Sequence, residues 1–196
     1  MRLVIMADGK ESRWKSHLGT TKHLVEINGE PLILRTIRLL DTMAPENSEI
    51  IVTSHNPKYE FDNCKRYEPI NNEIEIDRFT EELIEDDMYF FYGDTYYTEA
   101  AIKTIFNTKM PNTVFFGNNR SIVAIKVEDG TQFREHKSRV KRMFIEGKIE
   151  KCKGWQLYQS FTNQNMLCMP EIKENFVLID DGTADINTPE DYFKFV

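Results

Sequence analysis

Apolar residues fall in short blocks whose spacing predicts the elements. Residues 2–7 (RLVIMA) form a continuous apolar run stopped by Asp8-Gly9, the pattern of a buried strand. Pro31 stands where a first helical turn begins, and Leu32, Ile33, Ile37 and Leu40 behind it make one apolar stripe. Glu49–Ser54 predicts a second buried strand, residues 78–86 a short helix, and Met88–Tyr92 a third strand. Thr98 can cap a helix over 99–106, after which Asn112–Phe116 resumes strand. Beyond residue 117 the pattern changes. Ser121–Val127 reads as strand, and Arg142–Ile145 and Lys148–Lys151 read as a hairpin turned by Glu146-Gly147. Asn175–Asp180 is the last core strand. Thr188-Pro189-Glu190-Asp191 has the cap, proline and acids of a helix start.

Strands alternating with helices predict an α/β fold. The expectation is one Rossmann-like domain over 1–196, with a mixed, mostly parallel sheet, helices on both faces and a more irregular β portion at about 120–165. Ligands of such sheets sit beyond the carboxyl ends of the strands. Asp8-Gly9, Gly93-Asp94 and Asp180–Asp185 fall at such ends.

Composition narrows the class. Apolar content of 40% and charged content of 29% fit a globular chain, and a net charge of −7 argues against non-specific nucleic-acid binding. Residues 60–87 carry eleven acids against three bases and residues 134–142 are basic. Both read as solvated faces. Cys64, Cys152 and Cys168 form no C-x-x-C, which argues against a zinc site or a disulfide framework and fits a reducing compartment. The first apolar run is too short for a signal peptide, and no 18-residue apolar stretch exists. The expected location is cytoplasmic, with no membrane and no nucleic-acid partner; a homo-oligomer is left open.

The candidate chemistry starts in the opening loop. Lys10, Arg13, Lys15 and Lys22 follow the first strand with Glu11 as the sole acid. A glycine after a strand lets backbone N–H groups approach phosphate. The dinucleotide fingerprint and the P-loop are absent, so cations must carry more of the binding. On charge alone the loop reads equally as a solvated basic surface. The histidines show no metal spacing, and no G-x-S-x-G is present.

The register of this loop resembles that of the nucleotidyltransferases that activate sugar phosphates, phosphocholine or the molybdenum cofactor. Those read roughly L-A-A-G-x-G-[TS]-R-[ML], then P-K-x-L, then a Gly-Pro-Leu turn into a helix. Here the matching stretches are Ala7-Asp8-Gly9-Lys10-Glu11-Ser12-Arg13-Trp14, Thr21-Lys22-His23-Leu24 and Ile27-Asn28-Gly29-Glu30-Pro31-Leu32. Asp8 replaces a small residue, Glu11 the second glycine and Thr21 the proline. Asp185-Ile186-Asn187-Thr188-Pro189-Glu190-Asp191 is similar to the closing D-I-x-T-P-E-D.

The resemblance implies a glycosyltransferase-A-like nucleotidyltransferase fold. It implies transfer of a nucleotidyl group from a nucleoside triphosphate to a small phosphorylated acceptor, with pyrophosphate released. Arg13 and Lys22 would stabilise phosphate charge, and Asp94 and Asp185 would hold Mg²⁺. Ala7, Gly9, Arg13 and Gly93 would line the nucleotide site. Asn71-Asn72-Glu73-Ile74 is similar to the N-N-I-x-S-L element of phosphocholine-type cytidylyltransferases. It makes CTP the first nucleotide and a phospho-alcohol or sugar phosphate the acceptor, with Asn71 and Asn72 at the base. Trp14, Trp155, Tyr96 and Tyr97 could line a cage for a choline-like cation. The rival classes are a glycosyltransferase of the same fold and a non-catalytic nucleotide-binding module.

Overall fold

The computed structural model describes residues 1–10, 13–15 and 17–196. In chain order its elements are β1 (Arg2–Met6), β2 (Glu26–Ile27), β3 (Glu30–Pro31), α1 (Leu32–Met43), β4 (Glu49–Thr53), β5 (Lys65–Tyr67), β6 (Met88–Tyr92), β7 (Thr95–Tyr96), α2 (Glu99–Asn107), β8 (Val114–Gly117), β9 (Ile122–Val127), α3 (Gly130–Ile145), α4 (Gly154–Phe161), β10 (Phe176–Leu178), β11 (Ala184–Asp185) and α5 (Pro189–Tyr192). Seven strands make one sheet in the order β10-β8-β9-β6-β1-β4-β5. Among these described strands β9 alone runs antiparallel, against both β6 and β8.

Alternation along the strands splits the core in two. Leu3, Ile5 and Phe91 face α1 and α2, where they meet Ile33, Ile37 and Ile102. Val4, Met6 and Phe90 face the other way, against Phe133 and Val140 of α3 and Leu157 of α4. The period of two in the strands and of about 3.6 in the helices therefore closes both faces. A third cluster joins Trp14, Val25, Ile27 and Leu32 to Ile186. It fastens the opening loop to the C-terminal segment, with the Trp14 indole donating to the Thr20 carbonyl at 2.8 Å.

The reversed strand follows from a short link. Only residues 118–121 separate β8 from β9, and a parallel crossover needs about a dozen or more. Asn118 Oδ1 accepts from the backbone N–H groups of Arg120 and Ser121 and shapes the turn. At Gly117 a Cβ would lie 2.1 Å from the Ser121 carbonyl oxygen, so the turn requires glycine. The amino end of β9 is thereby placed beside the carboxyl end of β6.

Several expectations are corrected. Residues 142–151 form no hairpin: α3 runs to Ile145, with Phe133, Lys137 and Val140 buried on one side. Glu146-Gly147 is its C-terminal cap, where Gly147 at φ +68° and the bonds Gly147 N–H to Phe144 O and Lys148 N–H to Met143 O make a Schellman closure. Residues 120–165 thus hold one strand and two helices, α4 being unforeseen. Residues 78–86 form no continuous helix; 3₁₀ turns at Glu75–Arg78 and Glu81–Leu83 are separated by Phe79, whose ψ of 80° leaves the helical region. Nor are the acidic and basic stretches simply solvated. Lys137 pairs with Glu81 at 2.7 Å and Lys141 with Asp77 at 2.6 Å. Phe176–Leu178 is an edge strand, with Leu178 exposed. Among the described residues no helix is long and apolar enough to cross a membrane.

Gly154 opens α4 against β6, where a Cβ would lie 2.4 Å from the Tyr92 hydroxyl. Gly154→Ala should therefore lose about 1–3 kcal/mol of stability by overpacking. The Tyr92 Cζ lies 3.7 Å from the same point, so Gly154→Ala in a Tyr92→Phe background should lose much less. Urea denaturation of the four proteins measures the coupling; additive losses would exclude this contact as the cause.

Candidate active site

The carboxyl ends of β1 and β6, the amino ends of β9 and α4 and the β11 segment enclose an open cleft of about 380 Å³. Among the described residues six cations line it: Lys10, Arg13, Lys22, Arg78, Arg120 and Lys153. Three carboxylates among the described residues, Glu75, Asp94 and Asp185, accompany them. An acidic protein has gathered an excess of positive charge in one concave place, which suits a polyanionic ligand.

Lys22 and Asp94 form an ion pair at the base of the cleft, and both residues are buried. Burial alone would raise the Asp94 carboxyl; the Lys22 ammonium, with His23 and Arg78 adding to it, outweighs burial and holds it below the ordinary range. The backbone sets this position. The Gly93 N–H donates to the Met6 carbonyl at 3.0 Å, and a Cβ on Gly93 would sit 2.8 Å from that same oxygen. Only glycine lets the end of β6 pass so close to β1.

Asp185 reaches the same cleft through strand pairing. β11 lies antiparallel to β7 with Asp185 opposite Thr95, and the Ile186 N–H donates to the Asp94 carbonyl at 2.7 Å. The Asp185 carboxylate accepts from Ser121 Oγ at 3.1 Å and from the Asn187 amide. Asn187 Oδ1 in turn accepts from the Arg13 guanidinium at 2.7 Å. Ser121, Asp185, Asn187 and Arg13 therefore form one hydrogen-bonded chain across the cleft mouth. Among the described residues no three His, Cys, Asp or Glu side chains gather as a metal cluster. Two carboxylates on neighbouring backbone remain. That is the hard-oxygen donor set Mg²⁺ takes when substrate phosphates and waters complete its shell.

Other expected residues divide. Ala7 is buried at the end of β1, its N–H bonded to the Thr53 carbonyl at 3.1 Å. Gly9 lies under the Arg78 guanidinium, 2.9 Å from where a Cβ would stand. Asp8 binds the His55 backbone N–H at 3.0 Å and its ring at 2.6 Å. Asn72 Nδ2 donates to the Asp8 carbonyl and carboxylate at 2.6 and 2.7 Å. Asn71 is exposed and lines a separate recess with Asp77 and Lys141. Glu11 and Ser12 lie outside the described residues.

No aromatic cage forms. Trp14 and Tyr97 are buried in the interior, and Arg35 covers the Tyr96 ring at 4.4 Å from its centroid, so Trp155 alone of the four lines the cleft.

Sequence reasoning missed Arg78, Tyr92, Arg120, Ser121 and Lys153. Arg78 had a faint signal as a base within the acidic stretch. Arg120 and Ser121 had one in the short link that reverses β9. Tyr92 lines the cleft with its hydroxyl against Gly154, and burial pushes the phenol well above its ordinary range.

The fold is shared with solved nucleotidyltransferases. A nucleotidyl transferase from Methanothermobacter thermautotroptrophicus superimposes with a TM-score of 0.64 at 14% identity, covering 98% of this chain and 94% of that one. The CTP:phosphocholine cytidylyltransferase of Streptococcus pneumoniae gives 0.61 at 13% identity, over 98% and 96%. A putative glucose-1-phosphate thymidylyltransferase from Bacillus anthracis gives 0.57 at 14% identity, over 98% and 92%. No family model and no curated protein sequence matches the chain.

In chelator-treated buffer Lys22→Met should cost about 3–5 kcal/mol, because a buried carboxylate loses its ammonium. Lys22→Met/Asp94→Asn should lose less than the Lys22 change alone; equal losses would dismiss the pair as a coupled unit. Asp94 titrates lower in the folded than in the unfolded chain. Its contribution is therefore complete above the unfolded range near ~3.9 and vanishes as pH falls through the lower folded value. Asp94→Asn should flatten that acid limb.

Proposed function

We propose that this protein transfers a nucleotidyl group from a nucleoside triphosphate, preferentially CTP, to a small phosphorylated acceptor. The observation that carries this reading is the single cleft in which Lys22, Arg13, Asp94 and Asp185 converge amid excess positive charge. An acceptor phosphate oxygen attacks the α-phosphorus; the bond to the bridging oxygen breaks, and pyrophosphate leaves with the electron pair. The attacking phosphate is already an anion at neutral pH, so no protein base is needed. What the reaction needs is relief of repulsion between anions.

Lys22 supplies that relief at the α-phosphate, held in position by Asp94 at the cleft base. Arg13, oriented by Asn187, holds the outer phosphates. Asp94 and Asp185 would hold Mg²⁺, which would neutralise the α-phosphate and orient the pyrophosphate leaving group.

The preference for CTP rests on Asn72. Both of its amide contacts to Asp8 run through Nδ2, so Oδ1 is turned away from Asp8 as an acceptor. It lines a recess that shares Lys10, Glu75, Arg78 and Lys153 with the cleft. An acceptor there matches the exocyclic amino group of cytosine and meets a carbonyl in uracil or thymine.

Asp94→Asn and Asp185→Asn should each lower turnover on the order of 10²-fold or more, as loss of a transition-state stabiliser does. Lys22→Ala should lower kcat, measured at a temperature where the variant remains folded; a change confined to KM would make Lys22 a ground-state binder. Pyrophosphate is the readout, because a glycosyltransferase would release nucleotide and a binding module would not turn over.

CTP should be used about tenfold to a hundredfold better than UTP in kcat/KM, the range of one or two unpaired polar groups. A wild-type preference for UTP, GTP or ATP would overturn the cytidylyl assignment and leave nucleotidyl transfer standing.

A further inference from the structure

A second cavity, of about 720 Å³, opens off the cleft. Arg120, Lys153 and Trp155 belong to both walls. Much of its remaining lining is apolar: Met166, Leu167, Met169, Pro170 and Ile172. These residues sit on a segment with no helix or strand, yet the segment is firmly tied. Gln159, fully buried in α4, donates Nε2 to the carbonyls of Asn165 and Cys168, both at 3.0 Å. Gln164 binds the Glu171 backbone in both directions, at 2.8 and 2.9 Å. Asn165 Oδ1 accepts from the Leu167 N–H at 3.0 Å.

The core thus fixes a loop that holds Leu167 at 72% and Met169 at 85% exposure. Trp155, on the shared wall, is stacked on Phe176 at 5.6 Å with their planes 5° apart. A built apolar wall beside a phosphate-binding cleft calls for a ligand with both characters.

We propose that the second cavity receives the body of the acceptor, and that the acceptor is a phosphate monoester of an apolar alcohol, alkyl, isoprenoid or aryl. Its phosphate sits at the junction with Arg120 and with Lys153, whose ammonium is shared with Glu75 at 3.2 Å, and its apolar body lies along Trp155, Met166, Leu167 and Met169. This rests on the nucleotidyl-transfer reading and specifies its acceptor. Choline-like cations are disfavoured, because Arg120, Lys151 and Lys153 outnumber Glu150 in the lining and the aromatic cage is missing. Hydroxyl-rich acceptors would leave the methionine and leucine side chains facing polar groups. Flexible thioethers suit a chain of variable shape.

Calorimetric binding of octyl phosphate, kept below its micelle concentration, and of inorganic phosphate to the whole protein tests this. Octyl phosphate should bind at least tenfold more tightly. Leu167→Asp and Met169→Asp, both at exposed positions, should each weaken octyl phosphate tenfold or more and leave inorganic phosphate within twofold, at unchanged melting temperature. Octyl phosphate binding that survives both substitutions, or that equals inorganic phosphate in the wild type, overturns the proposal. So does faster pyrophosphate release with phosphocholine or a sugar phosphate than with octyl phosphate. The binding pattern with no pyrophosphate from any of the four triphosphates and any acceptor would sustain the apolar subsite and defeat nucleotidyl transfer instead.

Discussion

The buried ion pair between Lys22 and Asp94 holds the opening loop to the end of the third core strand. Two charges taken out of water are costly unless each is well partnered, so the pair ties segments 72 residues apart into one geometry. The adjoining contacts carry that geometry outward. Gly93 abuts Met6, and the backbone of Asp94 receives Ile186. The C-terminal segment is thereby set beside the end of β6, and with it Asp185 and Asn187.

Charge is distributed to serve this arrangement. Away from the cleft, acids and bases largely neutralise one another. The cationic side of α3 meets the acidic segment before β6, through Lys137 and Glu81 and through Lys141 and Asp77. Arg2 meets Glu85, and Arg66 meets Glu60 and Glu68. Such pairs contribute modestly to stability. Their consequence for function is that many surface cations are already partnered. Among the described residues the cleft gathers Lys10, Arg13, Arg78, Arg120 and Lys153 beside Glu75, Asp94 and Asp185, with Lys153 paired to Glu75 at 3.2 Å, and a phosphate-bearing ligand would balance the remaining positive charge.

The two cavities divide recognition between two kinds of force. The first is polar, and its charges can act on reacting phosphates. The second is walled by methionine, leucine and tryptophan, on a loop whose shape comes from amide bonds of Gln159 and Gln164. Arg120 and Lys153 stand where the two meet. A phosphate with an apolar tail would satisfy both at once.

Much of the frame was legible in the chain. β1, β4, β6, α1 and α2 announced themselves through continuous apolar runs, a proline at the helix start and a threonine cap, because these signals are local. The opening register placed Arg13 and Lys22 among the candidates, the end of the Met88–Tyr92 strand placed Asp94, and the closing Asp-Ile-Asn-Thr-Pro-Glu-Asp placed Asp185, and the fold brings all four to one cleft. Local signals also misled. Glu146-Gly147 reads as a hairpin turn until the i−5 bond from Lys148 marks a helix end. Arg78, Arg120 and Ser121 had only a faint local signal and Lys153 had none, and tertiary packing decided their part in the cleft. Their place depends on a reversed β9, on 3₁₀ turns packed under α3, and on α4 meeting Tyr92. Sequence periodicity records which face of an element is buried. It does not record which ends of different elements meet, and a site made of strand and helix ends is decided by that packing.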